Sequence, residues 1–276
     1  MTIFIENGFI SMKIFIAGTD ARDNDRICRE LKAPKLYSIM DSKKSIREWD
    51  DSLLLMVDSG AHTYNKTTNT KVGYTVRAKV PEVKQYALDY LKFIKLNKHK
   101  KFIWVELDVY GHMPISKVDD MYNKVMDMGI EGKYIRVYHP SMDGGSLDNL
   151  RKWIEEGHEY IGIGNDSKEI LNDIFLLTKD KVKLHGFAMT KLDLLHKYPF
   201  FSADSTTPLS TIIFGKYTRP VMNYYDKEEI IKMQSVWAFQ DDPERLYYSV
   251  LEAMKTQKYF TDLWAERGVT WNELIF

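Results

Sequence analysis

Three aspartates in this sequence each stand at the end of an apolar, strand-like run. Asp58 follows Leu-Leu-Leu-Met-Val, Asp108 ends Trp-Val-Glu-Leu-Asp, and Asp204 follows Phe-Phe-Ser-Ala. An unpaired buried carboxylate is costly, so each of the three needs a partner or a chemical role. A single aspartate at a strand end is as often a helix cap or one member of an ion pair as it is a functional residue. Three of them at strand ends indicate a shared site. A carboxylate pair there could supply a nucleophile and a general acid/base.

Other polar residues and glycines end the remaining strand-like runs. They are Ser59 and Gly60, Glu106, His139, Gly162 to Asn165, His185-Gly-Phe187 and Ser205. Because glycine has no Cβ, it permits backbone amides to approach a bound ring closely. The Gly162-Ile-Gly164 segment lacks the third glycine of a dinucleotide fingerprint, which argues against a Rossmann fold.

Short β-rich segments alternate with helical patterns, which indicates repeated βα units. The eight candidate strands are Lys13 to Gly18, Leu53 to Gly60, Phe102 to Val109, Tyr134 to Pro140, Tyr160 to Asn165, Val182 to Met189, Phe200 to Ser205 and Thr211 to Tyr217. Their nearly continuous apolar character is typical of strands covered on both faces. Eight units favour a closed (β/α)8 barrel of the TIM type over an open sheet, although the sequence alone does not separate the two. In a barrel all strand carboxyl ends meet at one opening, hereafter the barrel mouth.

One domain over residues 1–276 is the simplest organisation, because no linker or low-complexity tract divides the chain. Residues 1–11 precede Met12 and are expected to form an N-terminal arm. Helical patterns over Lys227 to Phe239 and after Asp242-Pro-Glu244 predict that residues 220–276 form helices packed on the barrel.

Composition excludes several classes of protein. The 39 basic residues equal the 39 acidic residues, so a nucleic-acid site must be a local patch rather than a global positive field. The single cysteine, Cys28, excludes an internal disulfide and every multi-cysteine zinc site, and it fits a reducing compartment. No apolar run approaches the length of a membrane span and no secretory leader is evident, so we expect a cytoplasmic protein without a membrane partner.

Four motifs, in order along the chain, resemble those of the tRNA-guanine transglycosylases. They are Val57-Asp-Ser-Gly-Ala-His62, Trp104-Val-Glu-Leu-Asp108, Ile161-Gly-Ile-Gly164 and Phe201-Ser-Ala-Asp-Ser205. The resemblance extends to about residue 220. It implies that Asp204, near the end of the seventh predicted strand, is the nucleophile, and that Asp108 reads the edge of a purine. Asp58 would then be the general acid/base.

The chain also departs from that family. A Cys-x-Cys-x-x-Cys plus His zinc site cannot be built from one cysteine, so the zinc subdomain is absent. His185-Gly-Phe187, with Asp204-Ser-Thr-Thr207 and Asp58-Ser-Gly-Ala61, looks more like the shorter phage and bacterial relatives that insert 7-deazaguanine bases into DNA. The resemblance therefore implies exchange of guanine for a preQ0-like 7-deazaguanine in DNA, without a metal or organic cofactor, and is compatible with a homodimer.

The same resemblance implies further contacts with the base and with nucleic acid. The expected base-binding residues are Ser59, Gly60, Asp108, His139, Gly162, Gly164, His185, Gly186 and Phe187. The expected phosphate-binding residues are Lys66, Lys71, Arg77, Lys79, Lys216 and Arg219. A target nucleotide in a duplex must be extruded before its anomeric carbon can react. Aromatic residues near the mouth that could hold it are Tyr64, Tyr74, Tyr110, Tyr138 and Phe187.

Three alternatives remain open from the sequence. The polymer could be tRNA instead of DNA. A barrel carrying His139, His185, Asp108 and Asp204 at strand ends could instead bind a metal and hydrolyse small amides or phosphoesters. A barrel that binds nucleic acid or a protein without catalysis is the third, and replacing Asp204 would leave such a function intact.

Overall fold

Eight parallel strands form a closed barrel in chain order, with β8 pairing back onto β1, as a (β/α)8 fold requires. The computed structural model describes residues 11–18, 24–50, 52–61, 64, 80–142, 144–208, 216–221, 232–237 and 245–272. The barrel strands are β1 (Lys13–Ala17), β2 (Lys35–Ser38), β3 (Leu55–Asp58), β4 (Ile103–Val105), β5 (Lys133–Tyr138), β6 (Tyr160–Ile163), β7 (Lys183–Gly186) and β8 (Ser202–Ser205). The fold class predicted from the sequence is confirmed.

A described helix follows each barrel strand before the next strand begins or the chain ends. The helices are α1 (Asn24–Glu30), α2 (Ile39–Arg47), α3 (Val80–Leu96), α4 (Ile115–Asp127), α5 (Asp148–Glu155), α6 (Leu171–Thr178), α7 (Leu192–Lys197) and α8 (Arg245–Glu266). An antiparallel hairpin of β9 (Lys216–Val221) and β10 (Lys232–Trp237) lies between β8 and α8 in the chain. None of the described helices is both long and apolar enough to span a bilayer.

Helix α8 is hydrogen-bonded to β1, the strand on which β8 closes the barrel. The buried Gln257 Oε1 accepts a hydrogen bond of 2.9 Å from the Ile14 amide of β1. Further along α8, the Trp264 indole donates to the Leu195 carbonyl of α7 at 2.9 Å. These contacts place the final helix against β1 and α7.

The barrel interior is filled by apolar side chains that alternate with outward-facing residues along each strand. The buried interior cluster is Phe15, Ala17, Leu36, Met56, Ile103, Val105, Ile135, Val137, Tyr160 and Phe201. Because side chains alternate with a period of two, Asp58 faces the same side as Met56. Asp204 is the register partner of the interior residue Phe15. The fold therefore directs both aspartates inward at the mouth.

Seven predicted strands correspond to barrel strands, but the eighth prediction is wrong. The strand that was missed is β2, and residues 216 and 217 of the predicted eighth strand belong instead to β9, while residues 211–215 are outside the described part of the chain. Asp204 consequently lies on the eighth barrel strand, not the seventh.

The helix predicted over Lys227 to Phe239 is also wrong in its described part, where β10 pairs with β9 over six residues in antiparallel register. The apolar residues of this segment fit both periods, and pairing with β9 decides for a strand. Residues 220–276 thus contain part of a hairpin as well as the predicted terminal helix. Residues 1–10 of the predicted arm are outside the described residues.

A buried ionic network joins the end of β4 to β5. Glu106 Oε1 accepts from Arg136 Nε at 2.9 Å, and its Oε2 accepts from the Val137 amide at 3.1 Å and the Tyr110 hydroxyl at 2.6 Å. The Arg136 guanidinium lies 4.2 Å from the centroid of the Trp153 ring. Since Asp108 lies between Glu106 and Tyr110 in the chain, this network anchors the segment that carries Asp108.

Replacing Arg136 with methionine should lower the free energy of unfolding by about 3–5 kcal/mol, because it leaves the buried Glu106 carboxylate unpaired. Chemical denaturation would measure the loss. The matched control is Arg151→Met, which removes an exposed ion pair with Asp148 and should cost about 1 kcal/mol or less. Equal losses in the two variants would contradict a structural role for the buried pair.

Candidate active site

The three aspartates identified in the sequence come together at the barrel mouth. Asp58 is the last residue of β3, Asp108 lies three residues beyond β4, and Asp204 is in β8. Burial raises the pKa of Asp58 to about 7; the Gly60 amide opposes that rise, and the charges of Asp108 and Asp204 add to it. Because both charges act on Asp58, the three carboxylates lie within a single electrostatic neighbourhood.

The turn after β3 holds the Asp58 carboxylate. The Gly60 amide donates to Asp58 Oδ1 at 3.1 Å, and Gly60 adopts a left-handed φ of +76°. A Cβ at Gly60 would lie 2.4 Å from Met40 Cγ, so both backbone conformation and space require glycine. Ser59 is fully buried and its carbonyl accepts from the Tyr86 hydroxyl at 2.5 Å. The structure thus gives Ser59 and Gly60 a role in shaping the turn, where the sequence predicted contact with the base.

Asp204 is held from one side of its carboxylate. Its Oδ1 accepts a 2.8 Å hydrogen bond from the Ala188 amide, and His185 Nε2 lies 3.4 Å from the same oxygen. Ala188 has a left-handed φ of +53°, a strained conformation for a residue with a Cβ. The loop after β7 therefore accepts backbone strain in order to aim an amide at Asp204.

His139 bridges two carboxylates at the mouth. Its Nε2 is 2.6 Å from Asp108 Oδ2 and its Nδ1 is 2.8 Å from Asp166 Oδ1. Burial alone would lower the pKa of His139, but the hydrogen bonds and charges of the two aspartates raise it to about 10. At neutral pH the ring is therefore an imidazolium with both nitrogens engaged. The structure thus pairs His139 with two carboxylates, and its contact with base or phosphate stays a prediction.

The raised pKa of His139 predicts a pH-dependent contribution to stability. A histidine whose folded-state pKa exceeds its ordinary value of about 6.5 stabilises the protein fully below that value, and the stabilisation is lost as the pH rises toward 10. Between pH 6 and pH 9.5, the wild type should lose roughly 2–3 kcal/mol more unfolding free energy than His139→Gln. His99→Gln, at an exposed position, is the control and should follow the wild type. Parallel curves for the wild type and His139→Gln would contradict the bridge.

The three glycines predicted to approach the base instead make room for side chains of the protein. A Cβ at Gly162 would lie 2.5 Å from the Phe187 ring, and one at Gly164 would lie 2.4 Å from the His139 ring. At Gly186 the nearest atom would be in the Phe200 ring, at 2.8 Å. Phe187 itself is partly exposed. Gly162 and Gly164 therefore allow Phe187 and His139 to pack at the mouth, where both remain able to border a ligand.

His185 lies below the mouth. Its imidazole is fully buried and packs edge-on against Phe15 and Phe187, and its Nδ1 and Ser202 Oγ share a hydrogen bond of 2.8 Å. Direct contact with a base, as the sequence predicted, is not available to a ring without exposed surface. The correction has a simple reason: His185 precedes the mouth-lining Phe187 by two residues and so faces the same way one step deeper in the barrel.

The remaining predicted contacts divide into described and undescribed residues. Tyr138 is fully buried, and the Tyr110 hydroxyl is engaged by Glu106. Tyr64 packs against Tyr86 with ring centroids 4.9 Å apart. Outside the described residues are Lys66, Lys71, Tyr74, Arg77 and Lys79. Lys216 and Arg219 belong to β9, of which only the backbone is described.

Four barrel strands begin with a lysine, namely Lys13, Lys35, Lys133 and Lys183. The Lys35 ammonium donates at 2.8 Å to the Gly18 carbonyl, just beyond the end of β1. The described residues contain no cluster of three His, Cys, Asp or Glu side chains arranged to hold a metal ion.

Comparisons with known proteins give a likeness in architecture only. No family model matches the chain, and no curated protein matches it. Among solved structures it is similar to QR15, an aldolase, at 10% identity and a TM-score of 0.44, covering 71% of this chain and 91% of that one. It is also similar to Proteus mirabilis N-acetylneuraminate lyase, at 9% identity and a TM-score of 0.41, covering 75% of each chain. It is also similar to a catalytic lysine mutant of Ruminococcus gnavus sialic acid aldolase, at 9% identity and a TM-score of 0.41, covering 91% of this chain and 98% of that one.

Several groups that hold the site were missed in the sequence. Asp166 lies in the turn after β6, Ala188 in the loop after β7, and Ser202 and Tyr160 lie inside the barrel. Residues two positions apart in a strand face the same side, so counting back two positions from a mouth residue would have found two of them. Ser202 precedes Asp204 by two positions, and Tyr160 precedes Gly162 by two. Neither Asp166 nor Ala188 carries a comparable signal.

Proposed function

We propose that this protein is a base-exchange transglycosylase that replaces guanine with a preQ0-like 7-deazaguanine in DNA. The observation that carries the proposal is the gathering of Asp58, Asp108 and Asp204 at one mouth in unlike environments. Asp204 is oriented by a backbone amide, while Asp58 has a pKa of about 7. An oriented carboxylate beside a carboxyl group that holds its proton near neutral pH is what nucleophilic attack and proton transfer at one glycosidic bond require.

In the first half of the reaction, an Asp204 oxygen attacks the anomeric carbon of the target nucleotide. The bond from that carbon to the guanine nitrogen breaks, and Asp58 gives its proton to the departing base. The sugar is then held as an ester of Asp204. A pKa of about 7 leaves much of Asp58 protonated at neutral pH, as a general acid must be.

In the second half, Asp58 acts as the base. It takes the proton from the ring nitrogen of the incoming 7-deazaguanine, which attacks the same carbon and displaces the Asp204 carboxylate. The proton that left with guanine is replaced by the one taken from the incoming base, and Asp204 regains its electron pair, so the cycle balances without an oxidant or a reductant. Replacement of one base by another through a covalent intermediate also retains the configuration at the sugar.

Asp108 would recognise the base in both halves. A carboxylate accepts hydrogen bonds from the ring N–H and the amino group that guanine and its 7-deaza relatives share. His139 engages Asp108 Oδ2 at 2.6 Å and Asp166 on its other side, so the reading oxygen is fixed by a cation tied to the loop after β6. The partly exposed Phe187 offers a ring against which the base can stack.

The test is incubation of the purified protein with duplex DNA and separately with tRNA, each with a 7-deazaguanine base, followed by nucleoside mass spectrometry. We expect incorporation into DNA that is unaffected by a chelator. Incorporation into tRNA alone would overturn the choice of polymer. Absence of incorporation into either, with a chelator-sensitive hydrolysis in its place, would overturn base exchange in favour of a metal-dependent hydrolase.

A further inference from the structure

A chain of hydrogen bonds runs through the barrel interior from Tyr160 to His185, whose second ring nitrogen lies near Asp204. The Tyr160 hydroxyl is 2.6 Å from Ser202 Oγ, which is 2.8 Å from His185 Nδ1. His185 Nε2 in turn lies 3.4 Å from Asp204 Oδ1. Ser202 and His185 are completely buried and Tyr160 is 5% exposed, so water does not compete for these groups. Three successive strands, β6, β7 and β8, supply the members of the chain.

Counting protons along this chain determines the tautomer of His185. Burial raises the pKa of Tyr160, so the phenol keeps its proton and donates to Ser202. Ser202 has one hydroxyl proton, and its remaining partner is His185 Nδ1. Nδ1 therefore accepts, and the neutral ring carries its proton on Nε2. The opposite direction would leave the Tyr160 proton without an acceptor among the described residues.

The two nitrogen atoms near the Asp204 carboxylate, the Ala188 amide and His185 Nε2, both lie close to Oδ1. The Ala188 amide donates to Oδ1 at 2.8 Å, and the buried His185 Nε2 lies 3.4 Å from the same oxygen. His185 Nε2 has no hydrogen-bond partner of its own within the described part of the chain. Oδ2 of Asp204 forms no hydrogen bond with any described residue. The two oxygens of this carboxylate are therefore not equivalent.

We infer that His185 is a positioning residue that, together with the Ala188 amide, holds Oδ1 of Asp204 so that Oδ2 is the oxygen that attacks the sugar. This inference rests on the proposed function. During attack, the Oδ2–carbon bond forms and Oδ1 becomes the carbonyl oxygen of the ester. When the incoming base displaces the ester, charge returns to the carboxylate, and the Nε2–H of His185 stabilises it on Oδ1. Ser202 and Tyr160 act through His185 by fixing its tautomer.

Matched substitutions at His185 test this role. His185→Leu removes the donor and should lower kcat by roughly 10- to 100-fold, with KM for the base unchanged, because only the orientation of Asp204 is lost. His185→Gln can place an amide N–H near the position of Nε2 and should recover most of the activity. Tyr160→Phe and Ser202→Ala keep the packing but break the proton chain, and they should give intermediate losses even if His185→Leu fails to fold.

The tautomer can be measured without relying on activity. Nitrogen-15 NMR of the full chain should show the His185 ring with a protonated Nε2 and an unprotonated Nδ1, and Ser202→Ala should disturb that state. A protonated Nδ1 would overturn the inference. So would wild-type kcat in His185→Leu, while base exchange itself stood. If the wild type does not exchange bases, or if Asp204→Asn exchanges them normally, the proposed function fails whatever His185 does.

Discussion

Asp204→Asn should abolish base exchange, lowering kcat by roughly ten-thousand-fold or more. The amide keeps the shape of the carboxylate, and its oxygen can still accept from the Ala188 amide, but it is neutral and does not attack the anomeric carbon. The wild type incubated with DNA and no free base should form a protein–DNA adduct that denaturing electrophoresis detects. The variant should form none, and nucleoside mass spectrometry should find no new base.

The matched control is Asp193→Asn, which makes the same chemical change at an exposed position in the first turn of α7. It should exchange bases like the wild type. Thermal unfolding of both variants would separate loss of chemistry from loss of structure. An Asp204→Asn variant that still exchanges bases would mean that this carboxylate is not the nucleophile.

Asp58→Asn should reduce kcat by roughly 100- to 10,000-fold, because the asparagine can neither give a proton to the departing base nor take one from the incoming base. In the wild type, release of guanine should slow as the pH rises through about 7, since Asp58 must be protonated for that step. The residual activity of the variant should lack this pH dependence. If the rate of guanine release by Asp58→Asn still changed with pH near 7, the acid/base role would belong to another group.

The same substitution should stabilise the protein at alkaline pH. A carboxyl group whose folded-state pKa is raised from 3.8 to about 7 binds its proton more tightly in the folded chain, so stability falls as the pH rises between these values. At pH 8 the charged Asp58 is a net cost, and Asp58→Asn should raise the free energy of unfolding by roughly 2–4 kcal/mol. At pH 4 the gain should be much smaller. Opposite changes in activity and stability are typical of residues selected for chemistry.

The sequence predicted most of the barrel because covered parallel strands leave nearly continuous apolar runs. It missed β2 because that strand is four residues long and begins with Lys35, whose charge suggests solvent. In the structure Lys35 is fully buried, with its ammonium donating to the Gly18 carbonyl at 2.8 Å and lying over the Tyr37 ring. Burial lowers the pKa of Lys35 to about 8. Compensation of that kind depends on tertiary contacts and has no local signature.

The candidate site likewise combines residues that can be recognised in the sequence with partners that only the fold reveals. Carboxylates after apolar runs can be recognised one at a time, so Asp58, Asp108 and Asp204 were found. The partners that give each its environment come from distant positions, as Asp166 does for His139 and Ala188 does for Asp204. The two histidines were recognised at strand ends, but composition does not tell whether a histidine there borders a ligand, pairs with carboxylates or packs beneath the mouth.

The closing of the ring has a consequence for synthesis of the protein. Asp204 is carried by the last barrel strand, which finds its place only by pairing with the first, Lys13 opposite Ser202 and Phe15 opposite Asp204. Contacts between such distant parts of a chain form late in folding. A polypeptide whose synthesis has not reached β8 therefore holds Asp58 and Asp108 without Asp204. If the protein opens glycosidic bonds as proposed, that reactivity should arise only once translation has passed the eighth strand.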